Sequence, residues 1–205
     1  MTMREGVIKF DLDFRPAPAP AAEALGELEA WRTIFRRLGL LGQDSARYEG
    51  LGFGNLSRRT QGDCFLISGT QTGLLERLDA GHYVEVSNCD PASNRVVAAG
   101  PVRPSSEALS HGALYQADPR IDWVMHLHSP EIFAAGERLG LPATDPVAPY
   151  GSPQMAAEIC RLLPAAGWPG LLLMGGHEDG IFAFGATAWE TGALVVTTLA
   201  AALTA

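Results

Sequence analysis

The run Asp122-Trp123-Val124-Met125-His126-Leu127-His128-Ser129-Pro130 restricts the fold more than any other stretch of the chain. Val124 beside an aromatic favours a strand, and Ser129-Pro130 stops it and offers a helix cap. Side chains alternate between the faces of a strand, so His126 and His128 share one face and aim at one point. Two imidazoles held in that way are half of a metal site. Upstream, Pro104-Ser105-Ser106-Glu107 offers a carboxylate at a helix start. Downstream, Gly175-Gly176-His177 offers a third imidazole beside a turn. Three histidines and a glutamate suit a divalent metal, zinc first, with other divalent ions able to use the same set.

Around this run, short apolar stretches alternate with helical patterns. Ile8, Phe10, Leu12 and Phe14 alternate with polar residues and predict an N-terminal strand, followed by the stiff Pro16–Pro20 segment. Residues 1–20 are therefore read as an N-terminal strand and proline-rich arm, and residues 21–205 as the folded domain. Leu25, Leu28, Trp31, Phe35 and Leu38 stand at helical spacing and predict a helix over 21–38, closed by Gly39. Strands are predicted over 65–67, 83–86 and 95–97, with residues 90–94 as a turn. Helices are predicted over 105–116, 130–139, 154–163 and from 188 onward, and strands over 171–174 and 181–184. His82 falls on an apparent strand. The hairpin signals point to an α/β fold: a three-layer domain with a central, mainly antiparallel sheet covered by helices.

At 205 residues the chain can bury one substantial core. A net charge of −8 excludes a general nucleic-acid role. No run reaches the roughly 18 apolar residues of a membrane span. Met1-Thr2-Met3-Arg4-Glu5 has no apolar stretch behind it, so no signal peptide is read. Cys64, Cys89 and Cys160 are widely spaced, as in a reducing compartment, and a cytoplasmic location is expected.

Gly54-Asn55-Leu56-Ser57 and Ser68-Gly69-Thr70 end or interrupt apparent strands. Glycines there allow close approach of a ligand, and the Asn, Ser and Thr side chains offer neutral hydrogen bonds. With Ser105 and Ser106 at a helix start, these residues form a phosphate site that needs no lysine. Glu107 lies in the first turn of that helix, and His111 one turn further along the same side, in a packed or supporting position.

Taken in order, Gly54-Asn55-Leu56-Ser57, Ile67-Ser68-Gly69-Thr70, Pro104-Ser105-Ser106-Glu107, His126-Leu127-His128-Ser129 and Gly176-His177 resemble the class II aldolase/adducin family. The resemblance spans roughly residues 25–200. It implies the fold of the fuculose-phosphate aldolases and a zinc-dependent lyase cleaving or forming a small sugar phosphate through an enediolate. It also implies zinc on His126, His128 and His177, with Glu107 as a resting ligand and catalytic acid/base. Substrate phosphate would lie near Asn55, Ser68, Gly69, Ser105 and Ser106, and the assembly would be a homotetramer with active sites at subunit interfaces. The family also includes sugar-phosphate dehydratases and epimerases, which are alternative readings, as is a non-catalytic module of the adducin kind, which keeps the fold and works without the chemistry.

Three departures limit what the resemblance carries over, the first at the third histidine and the other two at the groups that would transfer protons. Where the family has His-Gly, this chain has His177-Glu178-Asp179-Gly180. Where the aldolases carry a loop tyrosine, it has Thr144-Asp145-Pro146, which makes Asp145 a substitute acid, while Tyr150 is expected to pack beside Pro149. The sequence ends at Ala205, short of the tail that brings a tyrosine to a neighbour's site in some members.

Overall fold

A computed structural model describes residues 7–204; residues 1–6, on which the signal-peptide reading rests, and residue 205 lie outside the description. The strands are β1 (Asp11–Pro16), β2 (Gly42–Gln43), β3 (Gly52–Phe53), β4 (Asn55–Arg59), β5 (Phe65–Ser68), β6 (Tyr83–Asp90), β7 (Arg95–Gly100), β8 (Trp123–His128), β9 (Gly170–Leu173) and β10 (Gly180–Gly185). The helices are α1 (Gly26–Arg37), α2 (Ala108–Ala117), α3 (Pro130–Ala134), α4 (Pro153–Leu162) and α5 (Ala188–Ala202).

Among the described residues, eight strands form one sheet in the order β1-β7-β6-β5-β4-β8-β10-β9. Every pairing in it is antiparallel except that of β1 with β7. The three-layer, mainly antiparallel architecture expected from the sequence is present. Both faces of β8 are buried, and period two sorts its side chains. Trp123, Met125 and Leu127 pack in the cluster containing Leu28, Trp31 and Phe35 of α1 and Val195 of α5. Val124 points the other way, into the cluster containing Leu109, Leu114 and Tyr115 of α2 and Met155 and Ile159 of α4. His126 and His128 share the parity of Val124 and therefore lie on the α2/α4 side.

The N-terminal alternation is real but longer than the strand that carries it. Phe10 is buried in the α2/α4 core and Ile8, Leu12 and Phe14 pack against it, while β1 itself begins only at Asp11. Several boundaries differ from expectation. The first helix starts at Gly26 and is preceded by a 3-10 turn at Ala22–Ala24. The segment expected to be helical from Ser105 turns first, and α2 begins at Ala108 with Glu107 at the N-cap position. The helix expected over 130–139 ends at Ala134; Ser129 caps it as predicted, its hydroxyl accepting the Ile132 N–H at 3.2 Å. His82 is not on a strand: it closes a 3-10 turn and pairs with Asp79. Among the described residues no helix is long and apolar enough to cross a membrane.

Candidate metal and anion site

The site is built where β8 ends against its neighbours. Asn55 of β4 lies opposite His126, and Gly180 of β10 lies opposite His128. The β9–β10 connection carries His177 back over the same edge. Its tight turn is closed by the His177 N–H to the Met174 carbonyl at 3.0 Å and the Gly180 N–H to the His177 carbonyl at 3.1 Å. His126, His128 and His177 are all buried, and one ring nitrogen from each lies within 4.8 Å of the others.

Two details test whether these residues fit a metal. The His126 Nδ1 lies 3.1 Å from the Ile181 carbonyl oxygen. A carbonyl only accepts, so Nδ1 carries the proton and Nε2 presents a lone pair to the site. That Nε2 is 3.2 Å from the Nε2 of His128. Two ligands each about 2.0–2.1 Å from one tetrahedral zinc would stand at nearly that separation. Burial holds the His128 imidazole well below its ordinary pKa, and the neighbouring His177 and His126 push it the same way. Burial also brings His177 down to about 4, against the opposing pull of the Glu107 carboxylate. Both rings are neutral at pH 7, which is the ligand form.

Glu107 is buried at the mouth of α2, with Ser110 Oγ donating to its Oε2 at 3.2 Å. Its charge acts on His177, opposing the lowering that burial imposes there. His111 sits behind them. Its Nδ1 is 2.6 Å from Ser57 Oγ, which is itself 2.6 Å from the Tyr115 hydroxyl. Burial, and then the proximity of His126, hold His111 well below its usual range.

Next to the imidazoles, Gly54, Asn55, Gly69, Ser105 and Ser106 line one small polar pocket together with the Thr70–Gly73 loop. Ser68 is buried just beneath, its carbonyl accepting the Ser105 N–H at 3.3 Å. The Asn55 side-chain oxygen is buried with no hydrogen-bond partner among the described residues. No lysine lines this pocket. Thr72 and Gly73 were not anticipated from the sequence. Their loop is fixed from behind by the buried Arg32, which donates to the carbonyls of Thr72, Leu75 and Glu76 at 3.2, 2.6 and 3.0 Å.

Asp145 is not brought to this site. It is exposed, its Oδ1 accepts the Val147 N–H at 2.9 Å, and its own N–H donates to Glu158 of α4 at 2.9 Å. Two tyrosines flank the imidazoles instead. Tyr150 is buried with its ring 4.6 Å from that of His177. Tyr48 meets His128 edge-on at 4.5 Å, and its hydroxyl lies between Arg47 Nη2 at 2.6 Å and Asp179 Oδ2 at 3.1 Å. Asp179 belongs to the unusual His177–Gly180 segment, which tethers Tyr48 while leaving His177 in the imidazole group. Tyr48 and Glu49 both take positive φ, of 50° and 58°, a strained choice for side chains of this size. Nothing in the local sequence marked Tyr48.

The sequence profile of the class II aldolase and adducin N-terminal domain matches residues 43–204. The chain belongs to that family. Solved structures agree on the fold. L-fuculose-1-phosphate aldolase from Thermus thermophilus superimposes with a TM-score of 0.65 at 19% identity, over 89% of this chain and 92% of that one. A sugar-phosphate aldolase from Thermotoga maritima gives 0.65 at 14% identity, over 88% and 92%. YgbL from Escherichia coli, a candidate aldolase, epimerase or decarboxylase, gives 0.63 at 21% identity, over 88% and 87%. No curated protein sequence matches the chain significantly.

Proposed function

We propose that this member of the family is a metal-dependent lyase that cleaves or forms a small sugar phosphate through an enediolate. The observation that carries the reading is the convergence of three buried imidazoles on one point, together with a buried Glu107 whose charge acts on His177. A non-catalytic module would have no need to keep a carboxylate and three imidazoles dehydrated together. His126, His128 and His177 would hold the ion, with zinc the best match to an all-imidazole set. When bound, the ion supplies Lewis-acid stabilisation of the negative charge that develops beside a carbonyl.

The chain's own residues do the rest. The pocket formed by Asn55, Gly69, Ser105, Ser106 and the Thr70–Gly73 loop would seat the phosphate through hydroxyl and amide groups, a suitable device in a chain of net charge −8. Ser68 supports it from below through Ser105. Glu107, adjoining both the pocket and the imidazoles, would take the proton from the carbon next to the carbonyl and leave an enediolate, then return it in the reverse direction. Asp145, engaged with Val147 and Glu158, is assigned no part in this step.

The test is metal content. The purified protein should hold about one divalent ion per chain, and His126→Ala and His128→Ala should each lose it while remaining folded. Stoichiometric metal in both variants would sink the assignment.

A further inference from the structure

The reaction described above makes no use of Lys9. It is the single lysine of the chain, against fourteen arginines. It lies in the N-terminal arm, outside the residues matched by the family profile. The arm is anchored immediately after it: Phe10 is buried in the α2/α4 core, and β1 pairs with β7 from Asp11 to Pro16. Lys9 is thereby carried to the Pro149–Gly151 segment. Its Nζ stands 3.1 Å from the centroid of the Tyr150 ring and donates to the Tyr150 carbonyl at 3.0 Å. The Val7 N–H meets the Tyr150 hydroxyl at 3.4 Å.

Tyr150 is therefore gripped by the arm through its ring, its carbonyl and its hydroxyl. Its ring, tilted by 34°, packs against His177 with centroids 4.6 Å apart. His126 and His128 ride on a central strand, and His126 is oriented by the Ile181 carbonyl. His177 rides on the turn between β9 and β10, and its ring packs against Tyr150.

We propose that Lys9 is a positioning residue of the metal centre: it clamps Tyr150 against His177 and so fixes the third imidazole. The arm is then a working part of this site. The proposal rests on the metal-centre reading above, and its test separates the two.

Because lysine occurs once, protein labelled with ε-13C-lysine gives a single lysine signal, with no chemical modification. In the full-length chain that signal should lie upfield of free lysine, displaced by the Tyr150 ring, and Tyr150→Leu should return it to the free position. Zinc affinity, read by competition with a chromophoric chelator, should fall about 10-fold or more in Lys9→Met, the usual scale for a group that orients a ligand. Lys9→Arg keeps a cation over the ring and should stay within about threefold of wild type. Folding of each variant is checked by its unfolding transition. A lysine signal at the free position in the wild-type protein overturns the proposal. So does equal zinc affinity in a folded Lys9→Met. A wild-type chain that binds no zinc at all would defeat the metal-centre reading itself, and this proposal with it.

Discussion

Gly176→Ala is the substitution whose effect the structure dictates most directly. A Cβ built there would lie 1.9 Å from the Ala148 carbonyl oxygen, 2.8 Å from its carbon and 3.1 Å from the Pro146 oxygen. Ordinary contact begins near 3.4 Å, so the two segments must separate by about 1.5 Å. The obstruction is backbone, and a change of rotamer cannot relieve it. The loop is also tied down, by the Thr144 N–H to the Leu173 carbonyl and by the Gly175 N–H to Thr144 Oγ1, both at 2.9 Å. Overpacking costs about 1–3 kcal/mol and each lost hydrogen bond about 1 kcal/mol, giving a loss of about 4 kcal/mol. For a chain of this size that lowers the melting temperature by about 8–16 °C. His177 adjoins the substituted residue and Tyr150 lies on the displaced loop, so metal content should fall as well. Gly26→Ala is the control: no atom lies within 4 Å of its added Cβ, at the first residue of α1, and stability should hold or rise by about 0.5–1 kcal/mol. Thermal unfolding followed by circular dichroism, with metal analysis of the same samples, reads both. A Gly176→Ala protein melting within about 2 °C of wild type with full metal would refute the reasoning.

Glu107→Gln keeps the size and hydrogen-bonding capacity of the side chain but not its basicity. Steady-state kinetics should show turnover lower by about 10²-fold or more with metal retained, and near-normal turnover would remove Glu107 from the mechanism. The family resemblance implies a homotetramer, and Val147 on the proline loop and Trp189 and Leu203 on and beside α5, 81%, 75% and 64% exposed, leave apolar surface for other copies to cover. Light scattering at micromolar concentration should give about four times the 21.8 kDa chain mass, and a monomer would contradict it.

What could be read from the sequence was whatever local periodicity controls. The two-residue spacing of His126 and His128 decided their common face, and the alternation of Ile8, Phe10, Leu12 and Phe14 decided which side of the arm is buried. Gly54-Asn55-Leu56-Ser57 was harder. Its residue types are poor strand formers, yet β4 runs through the middle of the sheet from Asn55. Small polar side chains are wanted there because Ser57 bonds His111 and Tyr115 from the overlying helix, a requirement set by tertiary contact. The start of α2 moved for a similar reason. Ser105 and Ser106 line the pocket as a turn, and Glu107 takes the cap position. Asp145 looked suitable by its place in the chain, but Glu158 and Val147 engage it at the surface. Tyr48 meets His128 across 80 residues of sequence and Lys9 meets Tyr150 across 141, distances over which no local pattern operates.

The central claim is that this site removes a proton next to a carbonyl. The direct measurement is exchange of one C3 proton of dihydroxyacetone phosphate in deuterated water, followed by proton NMR with the metal-loaded protein. In the proposed reaction that half-step would call only on an ion held by the three imidazoles, on the polar pocket for the phosphate and on Glu107, and not on an acid for the aldehyde oxygen. Stereospecific loss of one proton signal, abolished by chelation and by Glu107→Gln, is the expected result. A fully zinc-loaded protein that leaves both protons in place would contradict the aldolase reading.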